Sequence, residues 1–142
     1  MADTISPDDM SNDTIYRLFN AAYMQPELCG EGGEYVRVNG PSGESIYIAV
    51  DGEKQLLRFM IMYRLKGNRN RVEELELVNQ LNDCVVLARF SLPHDDDDLL
   101  IVDYFLAYEE GVLAMQIINS FQWLDQVTIG AISNLDKLDM IE

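Results

Sequence analysis

Histidine, cysteine and basic residues are scarce in this sequence. Its 142 residues include one histidine, two cysteines and ten lysines or arginines, against 25 aspartates or glutamates. The formal net charge of -15 excludes a basic surface able to displace counterions from phosphates, so no nucleic-acid partner is expected. The same charge argues against docking on an anionic membrane, and no apolar run approaches the ~18 residues of a membrane span. A single histidine, His94, excludes a two-histidine zinc site within one chain. Cys29 and Cys84 lie far apart and form no CxxC, so no disulfide framework is expected and a reducing compartment is the default. Cys84, between Asp83 and the apolar run Val85-Val86-Leu87, reads as a small buried thiol. The opening MADTISPDDMSND has no apolar core of a secretory signal, and a cytoplasmic location is expected.

Catalytic signatures are missing too. There is no GxSxG elbow, no GxGxxG and no GxxxxGK[ST], and GEGG at 30–33 is too short to cradle a phosphate. Paired carboxylates are abundant, but on so acidic a chain abundance does not mark a cleft. The expectation is a non-enzyme with no cofactor.

What is present reads as one folded unit. Hydrophobic residues make up 48% and charged ones 25%, which suits an ordinary globular domain with a buried core. Residues 1–10 read as an acidic, flexible lead-in, and 11–142 as a single domain. After the N-cap candidates Ser11-Asn12-Asp13, residues Ile15, Leu18, Phe19, Ala22 and Tyr23 fall on one helical face. Pro26 stops that helix near Met24, and 25–33, with three glycines, reads as a loop. Strands follow at Glu34–Val38, Ser45–Val50 and Gln55–Lys66. In the third the even positions mix Leu56, Met60 and Met62 with Arg58, Arg64 and Lys66, while every odd position, Leu57, Phe59, Ile61, Tyr63 and Leu65, is apolar or aromatic. Placing them on the same face as Ile46, Ile48 and Val50 requires a hairpin loop of even length, which a two-residue Asp51-Gly52 turn supplies.

A loop at 67–70 leads to a helix over Arg71–Asn82, with Val72, Leu75, Val78 and Leu81 predicted inward and Glu73, Glu74 and Glu76 outward. Strands are expected at Val85–Leu92 and Leu99–Tyr108, joined by the polar run 93–98. Leu113, Ile117, Phe121, Leu124, Val127, Ala131, Leu135 and Leu138 then mark a long helix, with a bend or break expected around 127–130. The order α-β-β-β-α-β-β-α with hairpin joints predicts an α+β two-layer sandwich. Its sheet is mostly antiparallel and five-stranded, with the helices on one face.

The segment from Glu74 to Pro93 carries ELELVNQLN, with Asn79 and Asn82 near the helix end, and then VVLARFSL. An acidic turn, LLIVDYFLAYEEG and the long helix follow. In this the chain resembles the YbjN-type family, small bacterial proteins described as sensory transduction regulators, over roughly Ile46 to Asn134. Members look like type III secretion chaperones in fold. The resemblance implies a non-enzymatic, often dimeric, protein-binding module with a regulatory or chaperone-like role. It carries no catalytic residue to transfer. The four aspartates at 95–98 are a departure from it.

Two stretches are candidates for function. The run His94 to Asp98 offers carboxylates to a hard cation such as Ca²⁺, which would make the chain a metal or ligand sensor. It lacks the alternation, glycine and closing glutamate of an EF-hand loop, and a solvated turn is the plainer reading. The second is the even face of the third strand. Arg58, Arg64, Lys66, Arg69 and Arg71 are half of all basic residues, and the strand's arginines frame Met60 and Met62. Methionine adapts to varied apolar partners and arginine is favoured at interfaces. Arg89 and Asp103 are placed to oppose each other across the last two strands on that side. The expected binding surface is Arg58, Met60, Met62, Arg64 and Arg89, for a protein partner or a second copy in a homodimer. An acidic inhibitor or immunity-like protein, neutralising a basic target, is a further alternative.

Overall fold

The computed structural model describes residues 3–67 and 70–142. Arg69, one of the clustered basic residues, lies outside them. Helix α1, Asn12–Ala21, starts on Ser11, whose hydroxyl accepts the Thr14 amide hydrogen at 3.1 Å, and it buries Ile15 and Phe19 one turn apart. Asn12 fastens the helix to the sheet. Its amide donates to the Gly33 and Glu34 carbonyls at 2.9 Å each, and its oxygen accepts from Val50 at 3.2 Å.

The central sheet has six antiparallel strands rather than five, in the order β2-β3-β4-β5-β7-β6. These are β2 (Glu27–Cys29), β3 (Tyr35–Asn39), β4 (Ser45–Asp51), β5 (Leu56–Arg64), β6 (Arg89–Ser91) and β7 (Leu99–Ala107). The added strand, β2, lies where the glycines predict a loop. Three residues are too few to show alternation, and β2 exists through its ladder to β3, reinforced by Arg37 on Glu27 at 2.6 Å. Within the first ten residues, β1 (Thr4–Ile5) pairs with β8 (Val112–Leu113), and Pro7–Asp9 form a 3₁₀ turn.

The parity argument for the β4–β5 hairpin holds, with a different loop. Ile48 faces Phe59 and Val50 faces Leu57, so an even position always meets an odd one. The turn is not the two-residue Asp51-Gly52. Asp51 itself pairs with Leu56, and four residues turn the chain. The Asp51 carboxylate accepts the Glu53 and Lys54 amides at 3.1 and 3.0 Å, which stabilises the longer loop without changing its evenness.

The face carrying Val36, Val38, Ile46, Ile48, Leu57, Phe59, Ile61, Phe90, Leu100 and Val102 is the core. Phe19 of α1 meets Phe121 of helix α3 (Ala114–Leu135) edge-on at 5.2 Å beneath it, and Trp123 of α3 packs on Tyr104 at 5.5 Å. Helix α3 runs unbroken from Ala114 to Leu135, through Gly130, so the chain does not break around 127–130. Leu138 lies beyond it and is exposed. Asp125 of α3 holds the β3–β4 turn, accepting from the Ser42 hydroxyl at 2.6 Å and amide at 3.1 Å. A side chain at Gly40 would collide with that carboxylate, so the turn needs glycine there.

Helix α2, Arg71–Cys84, is rotated from the predicted face. Glu74, Leu77 and Leu81 are buried, while Val72 and Leu75 are 62% and 53% exposed. Two apolar stripes overlap on this helix at Leu81, and periodicity alone does not choose between them. Contacts with α3 and β6 do, and Arg71 meets the buried Glu74 carboxylate at 3.3 Å. Cys84 is exposed rather than buried: it stands on the side of Leu77 and Leu81, but it is the last residue of the helix and borders an open groove with Val85, Val127 and Ala131. The strand expected over Val85–Leu92 shrinks to β6. Val86 and Leu87 are exposed, and Leu87 has a φ of 73°, which no strand accommodates.

Candidate functional site

β5 and β7 run side by side over nine residue pairs, and β6 adds to the far edge of β7. Since side chains alternate, Arg58, Met60, Met62 and Arg64 of β5 share the outer face with Leu99, Ile101, Asp103 and Phe105 of β7 and with Arg89 of β6. Met60 faces Asp103, which faces Arg89, and Met62 faces Ile101.

Asp103 is the centre of this face. Arg89 grips both its oxygens, Nε on Oδ1 at 2.9 Å and Nη2 on Oδ2 at 2.8 Å. Arg58, two residues along β5 from Met60 on the same face, donates from Nε and Nη2 to Oδ2 at 3.2 and 2.9 Å. The carboxylate side chain is 0% exposed between guanidiniums that are 37% and 63% exposed. Both guanidiniums also lie over the Phe105 ring, 5.9 and 5.5 Å from its centre. Hydrogen bonding to Asp103, and then its charge, push Arg89 further above the usual arginine value against opposing desolvation. The trio carries one net positive charge and holds two planar donors rigidly at the surface. Around it, Met62 and Phe105 are 39% and 42% exposed, and Tyr47, opposite Met60, stacks edge-on with Tyr35 at 6.4 Å.

The expected Arg89–Asp103 pair is present, and Arg58 joins it. Arg64 lies on the same face opposite Leu99, at the end of the strand. Other members of the basic cluster go elsewhere. Lys66 pairs with Asp139 at 2.6 Å, and Arg71 meets Glu74 and Asp97. Phe105 and Ile101 were missing from the expected surface. They stand at the same parity as Asp103 on β7, a signal that marks them in the sequence. The aspartate run is exposed, Asp96 accepting the Asp98 amide at 2.9 Å and Asp97 lying 3.7 Å from Arg71. Asn79 is exposed, whereas Asn82 bonds the Phe90 backbone in both directions at 2.9 Å. Among the described residues no helix is long and apolar enough to cross a membrane.

A family model described as "Putative bacterial sensory transduction regulator", YbjN, matches residues 11–133. The chain belongs to the YbjN family. The crystal structure of YbjN from E. coli, titled as a putative transcription regulator, superposes with a TM-score of 0.73 at 14% identity, covering 94% of this chain and 96% of that one. A chain of the HopA1–SchA chaperone–effector complex superposes with a TM-score of 0.60 at 13% identity, covering 86% and 95%. No curated protein matches the sequence significantly. At such identities the neighbours establish the fold alone, an α+β architecture shared by a YbjN chain and a chain of a chaperone–effector complex.

Proposed function

We propose that this YbjN-family chain is a non-enzymatic, cytoplasmic protein-binding module with a regulatory or chaperone-like role. Its docking surface is the outer sheet face at Arg58, Met60, Met62, Arg64 and Arg89, extended by Ile101 and Phe105. The observation that carries this is the Arg58–Asp103–Arg89 trio over Phe105. It is a pre-ordered, donor-rich centre within a partly exposed apolar surface, on a fold shared with a chain of a chaperone–effector complex. Ordered guanidiniums and adaptable methionines are the ingredients of an interface centre. The net positive charge of the trio, on a chain of -15, favours a segment of the partner bearing carboxylates beside apolar residues. A homodimer belongs to the same proposal. The exposed Val72, Leu75, Val86 and Leu87 on and after α2 give a second copy a surface separate from the sheet.

The test is to purify the protein that copurifies with the native chain and titrate it against wild type and Met60→Asp/Met62→Asp. Both methionines are only partly buried, so the variant is expected to fold. Loss of about 100-fold or more in affinity is the expected result, since charges enter a desolvated contact. Unchanged affinity would remove this face from the proposal.

A further inference from the structure

A cleft of about 360 Å³ lies away from the outer face, between the end of α3, the segment that follows it, and the adjoining ends of β4 and β5. Ile132 and Ile141 supply apolar lining, and Glu44, Asp136, Asp139 and Glu142 bring carboxylates to it. Two of these carboxylates are already occupied. Asp136 accepts the Met140 and Ile141 amides at 2.9 and 3.1 Å, and Asp139 pairs with Lys66. Among the described residues, no basic side chain engages Glu44 or Glu142.

The second observation is Tyr63, which also lines this cleft. The residue is 4% exposed, and its hydroxyl is buried without a hydrogen-bond partner. Burial foremost, then the charges of Glu44 and Asp125, raise its ionisation well above the usual phenol range, so the oxygen keeps its proton and stays neutral. A buried hydroxyl left unpaired is a standing destabilisation that a phenylalanine would avoid. In a negative field, what best completes its lone pairs is an N–H group carried by a cation.

We infer that this cleft binds a small free organic cation of the alkylammonium class. The ammonium would lie between the Tyr63 hydroxyl and the Glu44 carboxylate, and its alkyl chain along Ile132 and Ile141. Volume and lining suit a short aliphatic diamine, for which both ends find carboxylates.

The test is calorimetric titration of the full chain with 1,4-diaminobutane at physiological ionic strength, with 1,4-butanediol as the neutral control. At that salt the screening length is about 8 Å, so diffuse attraction to the acidic chain is suppressed. Saturable one-site binding of the diamine alone is expected, weakened about tenfold in both Tyr63→Phe and Glu44→Gln. Thermal melting of unliganded Tyr63→Phe, at or above the wild-type midpoint, shows that the fold is retained. Absence of saturation up to ~10 mM overturns the inference. So does equal affinity across wild type and both variants, which would mark the diamine as a diffuse counterion.

Discussion

Asp103 shows how one buried charge can order a surface. An isolated carboxylate with no solvent access would be strongly disfavoured, and here four N–H donors from two arginines satisfy it. Because both guanidiniums retain water, removing the acid leaves them a route to solvent, which limits the damage. Asp103→Asn is therefore expected to lose about 1–3 kcal/mol in denaturant unfolding. Tyr63 gives a second test at this scale. Its ordinary value is 10.0 and its folded value is higher, so above pH 10 the unfolded chain sheds a proton that the folded chain keeps. The stability held below that pH is then lost as pH rises, by about 1.4 kcal/mol per pH unit. Tyr63→Phe should lack this contribution, visible as a shallower fall in stability between pH 10 and 12 in urea melts. Equal slopes would show that the phenol titrates alike in both states.

Elements differ in how much of them is legible before folding. β5 writes its own face, because every odd position from Leu57 to Leu65 is apolar or aromatic while the arginines fall on even ones, and any even loop preserves that parity. α2 does not, since its two apolar stripes share Leu81 and only neighbouring elements decide which turns inward. β2 and β6, at three residues each, are too short to carry a period and exist through their partners. The candidate site divides the same way. Opposition of Arg89 to Asp103 follows from strand parity, whereas Arg58 reaches the same carboxylate diagonally from two residues along β5, which depends on its side-chain conformation. For β6 the partner on its open side is a side chain. Asn82 of α2 offers the Phe90 backbone both a donor and an acceptor, standing in for a further strand. Asn82→Ala is expected to cost about 1–3 kcal/mol. It should also accelerate hydrogen exchange at Phe90 ahead of β5, the local signature of a loosened edge.

On the scale of the whole molecule, helices close one face of a six-stranded sheet and its other face keeps solvent contact. The large acidic excess keeps such a chain soluble despite that face. The arginine trio places opposite charge within it, so under the proposed function docking and solubility would use different parts of one surface. The seven methionines offer a direct readout of the central claim, because Met60 and Met62 lie on the outer face while Met115 is exposed on α3 and Met140 is buried. The decisive measurement is methyl NMR of the methionine-labelled chain titrated with its purified protein partner. The account predicts that the Met60 and Met62 methyl signals shift or broaden first and most. If those two stay fixed while Met115 or Met140 moves, the open sheet face is not where the partner docks.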